Sequence, residues 1–156
     1  MSGPVEEADK LVGQILNNKY QVQKRLSQGG MGVVYKARHV VLDTSVAIKV
    51  LLQNEDKVAQ ERFLSEARLA SKVRHTNTVF IADFGVLQDG RAFLEMEFID
   101  GRTLSAECEK GPIEVLRACQ IAMQIARGLQ AVHDKGIIHR DMKPDNVFLL
   151  EQDGTT

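Results

Sequence analysis

The stretch IIHRDMKPDNVFLL, residues 137–150, sets an acid, a cation and an amide close together, with Asp141 and Asn146 five positions apart and Lys143 between them. It follows directly on PIEVLRACQIAMQIARGLQAVHDKG, where apolar side chains recur at positions 118, 121, 122, 125, 126, 129 and 132. That spacing is the 3.6-residue period of a helix with one apolar face. Pro112 suits its first position and Gly136 its C-terminal stop, so the expectation is a long, largely buried helix that delivers the chain into a polar loop. GRTLSAEC before it reads as a short helix or connector.

Upstream the pattern changes. YQVQKRL (20–26), GVVYKAR (32–38) and TSVAIKVLL (44–52) are short runs rich in β-branched and aromatic residues, separated by SQGGM and HVVLD. They read as three consecutive antiparallel strands. DKVAQERFLSEARLASKV has no Gly or Pro and places Phe63, Ala67 and Ala70 on one helical face. NTVFIADFGVL and RAFLEMEFI then form a hairpin around Gln88-Asp89-Gly90. A five-stranded sheet with one helix, followed by helical structure, is an α+β arrangement with a boundary near Gly101. The expected divisions are a flexible lead-in over 1–17, a sheet domain over 18–100 and a helical part over 101–156.

Composition narrows the function classes. The 156 residues include 20 Lys and Arg against 21 Asp and Glu, for a net charge of -1, and no basic block marks a nucleic-acid footprint. The start MSGPVEEADK has no signal-peptide pattern, and no apolar run approaches the roughly 18 residues of a membrane span. Cys108 and Cys119 form no CxxC pair and read as reduced, apolar fillers. The expectation is a soluble, cytoplasmic chain with no membrane span in this segment and no nucleic-acid partner.

HRDMKPDN resembles the catalytic loop of protein kinases, HRDxxxxN, with Met142 where Leu is usual. The resemblance extends over roughly residues 20–150, taking in order SQGGMGVV, VAIK, a helix with Glu66, the EMEF strand end and HRDMKPDN. Several motifs in order carry far more weight than one. The wording of QGGMGVVYKA and HRDMKPDNVFL is similar to bacterial members. The implied fold is a protein-kinase-like small lobe followed by the first helices and catalytic loop of a helical lobe, and the implied cofactors are ATP and Mg2+.

Glycines let backbone N–H groups approach phosphates closely, and Gly29, Gly30 and Gly32 supply that turn. The family pattern GxGxxGxV places its first glycine at Ser27, a departure. The resemblance implies that Lys49 meets the α- and β-phosphates and pairs with Glu66. It puts Met96 at the back of the adenine pocket, with backbone groups of Glu97 and Ile99 on the purine and Val34, Ala47 and Phe148 around the ring. Asp141 would orient the acceptor hydroxyl, Lys143 would lie against the transferring phosphate as in serine/threonine kinases, and Asn146 would hold a magnesium ion. His139 is expected to support packing, and Arg140 to pair with a phosphorylated segment.

Asp83-Phe84-Gly85 spells the family's metal-binding DFG, but it stands before Asp141 and within a strand, so Asp83 reads as a strand residue. The family's own DFG and APE would follow Asp141 beyond Thr156. The expectation is therefore the N-terminal part of a serine/threonine kinase catalytic domain, which phosphorylates Ser or Thr of a protein substrate but is inactive or nearly so as this piece. A second expectation is a non-catalytic nucleotide-binding or interaction module built on a kinase small lobe. A Rossmann domain fits least, because the glycine loop joins strand to strand.

Overall fold

Alternation of apolar and polar residues in three consecutive runs builds the sheet that organises the first half of the chain. The computed structural model describes residues 10–29, 32–52 and 57–150. Contacts divide the chain into two units, residues 1–72 with 79–98 and residues 73–78 with 99–156.

In the first unit, β1 (Ile15–Leu16), β2 (Tyr20–Gln28), β3 (Gly32–His39), β4 (Thr44–Leu51), β5 (Ile81–Val86) and β6 (Ala92–Glu97) form one antiparallel sheet in the order β1-β2-β3-β4-β6-β5. Helix α1 (Lys57–Ala70) packs on β5 and β6 and buries Ala67, with Phe63 and Ala70 half-buried beside it. The sheet has six strands rather than five, because Asn17 and Asn18 take left-handed φ values of 46° and 55° and fold Ile15–Leu16 back on β2. Two successive positive φ values match the right-handed twist of flanking strands. Leu11 and Leu16 are consequently buried in the core, so the chain from residue 10 onward is folded rather than a flexible lead-in. Residues 1–9 lie outside the described residues.

Register sorts the side chains by face. Val33 faces Val50, Tyr35 faces Ile48 and Ala37 faces Val46, and all six are buried. Their neighbours Tyr20, Val22, Leu87 and Phe93 complete this core. Glu95, opposite Ile48, is also drawn into it and is 6% exposed. The Tyr20 hydroxyl lies 2.7 Å from Glu95 Oε2 and 2.9 Å from Asp83 Oδ2, and Lys19 Nζ is 3.2 Å from the same Asp83 oxygen. Burial, then the two carboxylates, push the Tyr20 hydroxyl pKa up. Burial acts to raise Asp83 too, but Tyr20, Lys19 and its own following amide outweigh it and hold this carboxyl below its ordinary value. Asp83 therefore stabilises the sheet above the ordinary carboxylate range and loses that contribution as pH falls through its lowered pKa.

In the second unit, Thr103 caps the short α2 (Leu104–Cys108) by accepting from Ala106 N, and Glu114 caps α3 (Val115–His133) by accepting from Leu116 N and Arg117 N. Pro112 thus precedes the cap instead of opening the helix. Gly136 takes φ +73° just past the end of α3, as a helix stop requires. Glu107 gathers Arg102, Lys110 and Arg117 at 2.7, 3.1 and 3.3 Å, tying α2 to its neighbours. The long helix is not largely buried: only Gly128 is fully covered, and Val115, Leu116 and Met123 are exposed. Cys108 and Cys119 are exposed as well, so neither fills a core. The boundary near Gly101 also shifts, since residues 73–78 group with the second unit. Asn77 Nδ2 donates to Gln124 Oε1 at 3.2 Å, and its carbonyl sits where a Gly128 side chain would stand.

Two substitutions test this packing. Tyr20→Phe strands a buried carboxylate and should cost about 1–3 kcal/mol in urea unfolding at neutral pH. Gly128→Ala should destabilise, although Ala gains about 1 kcal/mol over Gly in a helix interior, because its Cβ would meet Asn77 O at 2.5 Å; a raised unfolding midpoint would contradict the close approach.

Candidate active site

The face of the sheet opposite the core collects four of the expected residues. Val34 pairs with Lys49, which pairs with Leu94, and Lys36 pairs with Ala47, which pairs with Met96. Residues directly opposed in a ladder share a face, so Val34, Ala47, Lys49 and Met96 stand together on this face, with Lys36 beside Ala47. Leu94 belongs to it too; strand alternation back from Met96 was the signal that would have named it. Ala47 is buried, and Val34, Lys49 and Met96 are half-buried. Among the described residues Lys49 has no ion-pair or hydrogen-bond partner.

The glycine turn closes β2 on β3 through Gly29 N–H donating to Gly32 O at 2.9 Å. A side chain at Gly29 would meet nothing within 4 Å, leaving its surroundings open, whereas one at Gly32 would strike Val50 O at 2.6 Å. Gly30 lies outside the described residues. Ser27 sits inside β2 opposite Val34, without a left-handed φ, so this strand has no need of glycine there.

The expected Lys49–Glu66 pair is not formed. Helix α1 rests on β5 and β6, and Glu66 points to solvent one residue from the buried Ala67. An exposed ion pair is worth only about 0–1 kcal/mol, too little to set the rotation of a helix held by its apolar face. Glu97 is clamped twice, its N–H donating to Phe80 O at 3.0 Å and its carboxylate accepting from Phe80 N at 2.6 Å. With its N–H engaged, the carbonyl is the backbone group it can offer a purine. Asp83 faces Glu95 on the core side of the sheet, opposite to Lys49; its Oδ2 accepts from Tyr20 and Lys19 and its Oδ1 from the Phe84 N–H.

In the second unit the loop after α3 is held at both ends. Arg140 adopts φ +61°, and Asp141 N–H donates to His139 O at 2.9 Å with His139 Nδ1 at 3.3 Å. Pro144–Asn146 forms one 3₁₀ turn, after which β8 (Phe148–Leu149) pairs with β7 (Arg102–Thr103). A side chain at Gly101 would collide with Leu149 O at 2.8 Å, so glycine permits this pairing. Phe148 is exposed on β8, and Ile99 is half-buried.

The geometry at Asp141 is specific. Asn146 Nδ2 donates to Asp141 O at 2.8 Å and to Asp141 Oδ2 at 3.0 Å, and Lys143 Nζ lies 3.3 Å from the same Oδ2. The Lys143 contact, then Asn146, hold the Asp141 carboxyl below its ordinary value. Because the amide nitrogen is engaged, the Asn146 oxygen is left as the free end of that side chain, and an amide oxygen beside a carboxylate is the donor set hard divalent cations take. Among the described residues no group of three or more His, Cys, Asp or Glu is placed to hold a metal. Lys143→Met should move the Asp141 titration upward toward the ordinary carboxylate range, and Asn146→Ala should do so by less; carboxyl-carbon NMR across acid pH reads both, and an unmoved titration in Lys143→Met would refute the assignment.

The protein kinase domain family matches residues 20–155. Serine/threonine-protein kinase pkn2 of Myxococcus xanthus is 48% identical over 139 residues, covering 86% of this chain and 16% of the relative. Serine/threonine-protein kinase PknH of Mycobacterium tuberculosis is 38% identical over 148 residues, covering 93% of this chain and 23% of the relative. The crystal structure of the M. tuberculosis PknI kinase domain superposes with a TM-score of 0.78 at 28% identity, covering 90% of this chain and 57% of that one. The chain thus spans less than a third of these curated relatives' length. With a family match over nearly its whole length and relatives named as serine/threonine kinases, the chain belongs to the protein kinase family.

Proposed function

We propose that this chain supplies the nucleotide-binding sheet and the catalytic loop of an enzyme that transfers the γ-phosphoryl group of ATP, with Mg2+, to a Ser or Thr hydroxyl of a protein. The observation that carries the reading is the Asp141 carboxylate, held on one oxygen by both Asn146 Nδ2 and Lys143 Nζ. When bound, Mg2+ neutralises charge on the phosphate oxygens, and ATP supplies the group transferred.

The chain's own residues then have defined tasks. Asp141 orients the acceptor hydroxyl and takes its proton, and its lowered pKa keeps it ionised at neutral pH. Lys143 lies against the phosphate in transfer, and the Asn146 oxygen holds the cation. Lys49, a half-buried ammonium without a partner among the described residues, matches the α- and β-phosphates. Glu66 becomes its partner once α1 turns. The turn formed by Gly29, Gly30 and Gly32 lets the phosphates approach the backbone beside Ser27, with the N–H groups of Gly30 and Gly32 as donors because that of Gly29 is engaged by Gly32 O. The Glu97 carbonyl and Ile99 backbone meet the purine, and Val34, Ala47, Met96 and Phe148 exclude water from the ring. The protein works in the cytoplasm, where ATP is abundant and the thiols of Cys108 and Cys119 stay reduced; no described helix is long and apolar enough to cross a membrane.

Calorimetric titration of this chain with ATP should show binding that Lys49→Met weakens by about tenfold or more, the loss of a charge-assisted contact. In the full-length protein, Asp141→Asn should lower kcat about 10²- to 10⁴-fold while leaving KM for ATP nearly unchanged. ATP binding without any transfer by the full-length protein would instead favour a non-catalytic nucleotide-binding module.

A further inference from the structure

Lys36 shares the nucleotide face with Val34, Ala47, Lys49 and Met96, yet the tasks above leave it without one. It is half-buried on β3, opposite Ala47. Its ammonium lies 4.3 Å from the centroid of the Phe98 ring, and among the described residues it has no acidic partner. A cation over an aromatic face is attracted by the ring quadrupole, the more strongly as water is excluded.

Phe98 occupies a particular place. The last ladder pair of β6 is Val46 with Glu97, so Phe98 is the first residue that no strand pairing fixes. Glu97 itself is clamped from the β5 side through Phe80. On the other side the described contact that anchors the emerging chain is the one between Lys36 and the Phe98 ring. The backbone groups assigned to the purine begin here.

We propose that Lys36 is a positioning residue for the nucleotide base: by pinning the Phe98 ring it fixes the main chain leaving β6, so that the Glu97 carbonyl and the groups after it meet the purine edge in one geometry. This rests on the ATP-binding reading above. Lys36 acts through Phe98 and not as a charge on the phosphates. A guanidinium stacks on an aromatic ring as well as an ammonium does, so arginine should serve and an uncharged side chain of similar length should not.

The test compares binding of ATP and of inorganic tripolyphosphate, which has no base, by calorimetry on the same chain. Lys36→Met and Phe98→Leu should each weaken ATP binding about three- to tenfold, the range set by a single cation–π contact. The double variant should be no weaker than either single one, and Lys36→Arg should stay within about twofold of the parent. Tripolyphosphate affinity should be unchanged in every Lys36 and Phe98 variant and lost in Lys49→Met. Equal loss of tripolyphosphate and ATP in Lys36→Met would make Lys36 a phosphate contact and overturn the proposal, as would unchanged ATP binding. If the parent chain binds tripolyphosphate but discriminates nothing about the base, the positioning role fails while the phosphate site stands. If it binds neither, the ATP-binding reading falls and the proposal with it.

Discussion

The ladder that sets Val34 against Lys49 against Leu94, and Lys36 against Ala47 against Met96, is the constraint on which the first unit depends. Side chains alternate along a strand, so a slip of one residue between β3 and β4 would exchange faces wholesale. Were β4 to slip, Ile48 and Val50 would turn to water, away from Val33 and Tyr35, and Lys49 would be driven into the core. Burial of those four side chains, each 2% exposed or less, is therefore what holds Lys49 on the other face. The functional geometry is a by-product of hydrophobic register, and it needs no interaction of its own to be maintained.

The second unit secures its site differently. The loop from His139 to Asn146 is exposed, so burial does little to fix it. Local polar contacts take over: a left-handed Arg140 turns the chain, His139 meets the Asp141 amide, and Asn146 reaches back to both the carbonyl and the carboxylate of Asp141. The five-residue spacing of Asp141 and Asn146 spans a single 3₁₀ turn, which returns the amide to the acid that precedes it. Pro144 fits the start of that turn, because its fixed φ is already helical and its missing N–H donates to nothing there. Downstream, β8 is tied to β7 beside Gly101, which keeps the loop's exit in place.

How much of this was legible in the sequence depended on whether the signal was local. Strands β2 to β4 and helix α1 show in residue type and period, and the Asp89-Gly90 turn appears where those two residues stand, with Gly90 at φ +88°. Strand β1 was missed although its signal was present: Asn17-Asn18 is a turn pair between Ile15-Leu16 and Tyr20, masked by the polar residues around it. Periodicity suggested a largely buried α3, but it reports an apolar face and not whether anything covers it, and among the described residues only Gly128 of this helix is fully buried. The Lys49–Glu66 contact depends on the rotation of a helix about its own axis, which no local pattern specifies. Glu114 rather than Pro112 begins α3 because a carboxylate that accepts two orphan amides outweighs a preference at the first position.

The faces of the sheet also separate charge. Along β3, β4 and β6 the acids Glu95 and Glu97 lie on the core side with Asp83 beyond them, while Lys36, Lys49 and an Arg38 that is ion-paired with Asp43 lie on the other. The core side tolerates its acids only because Tyr20 hydrogen-bonds to two of them and Lys19 neutralises one. Were Asp83 on the opposite face, its charge would stand near Lys49 and neutralise an ammonium that has no partner among the described residues. Two unit charges about 5 Å apart interact by roughly 3 kcal/mol at an effective dielectric near 20, so one misplaced carboxylate would offset most of what one lysine contributes. The letters Asp-Phe-Gly at 83–85 thus have a structural role, since Tyr20 and Lys19 hold the Asp83 carboxylate on the core side of the sheet, on the face opposite to Lys49.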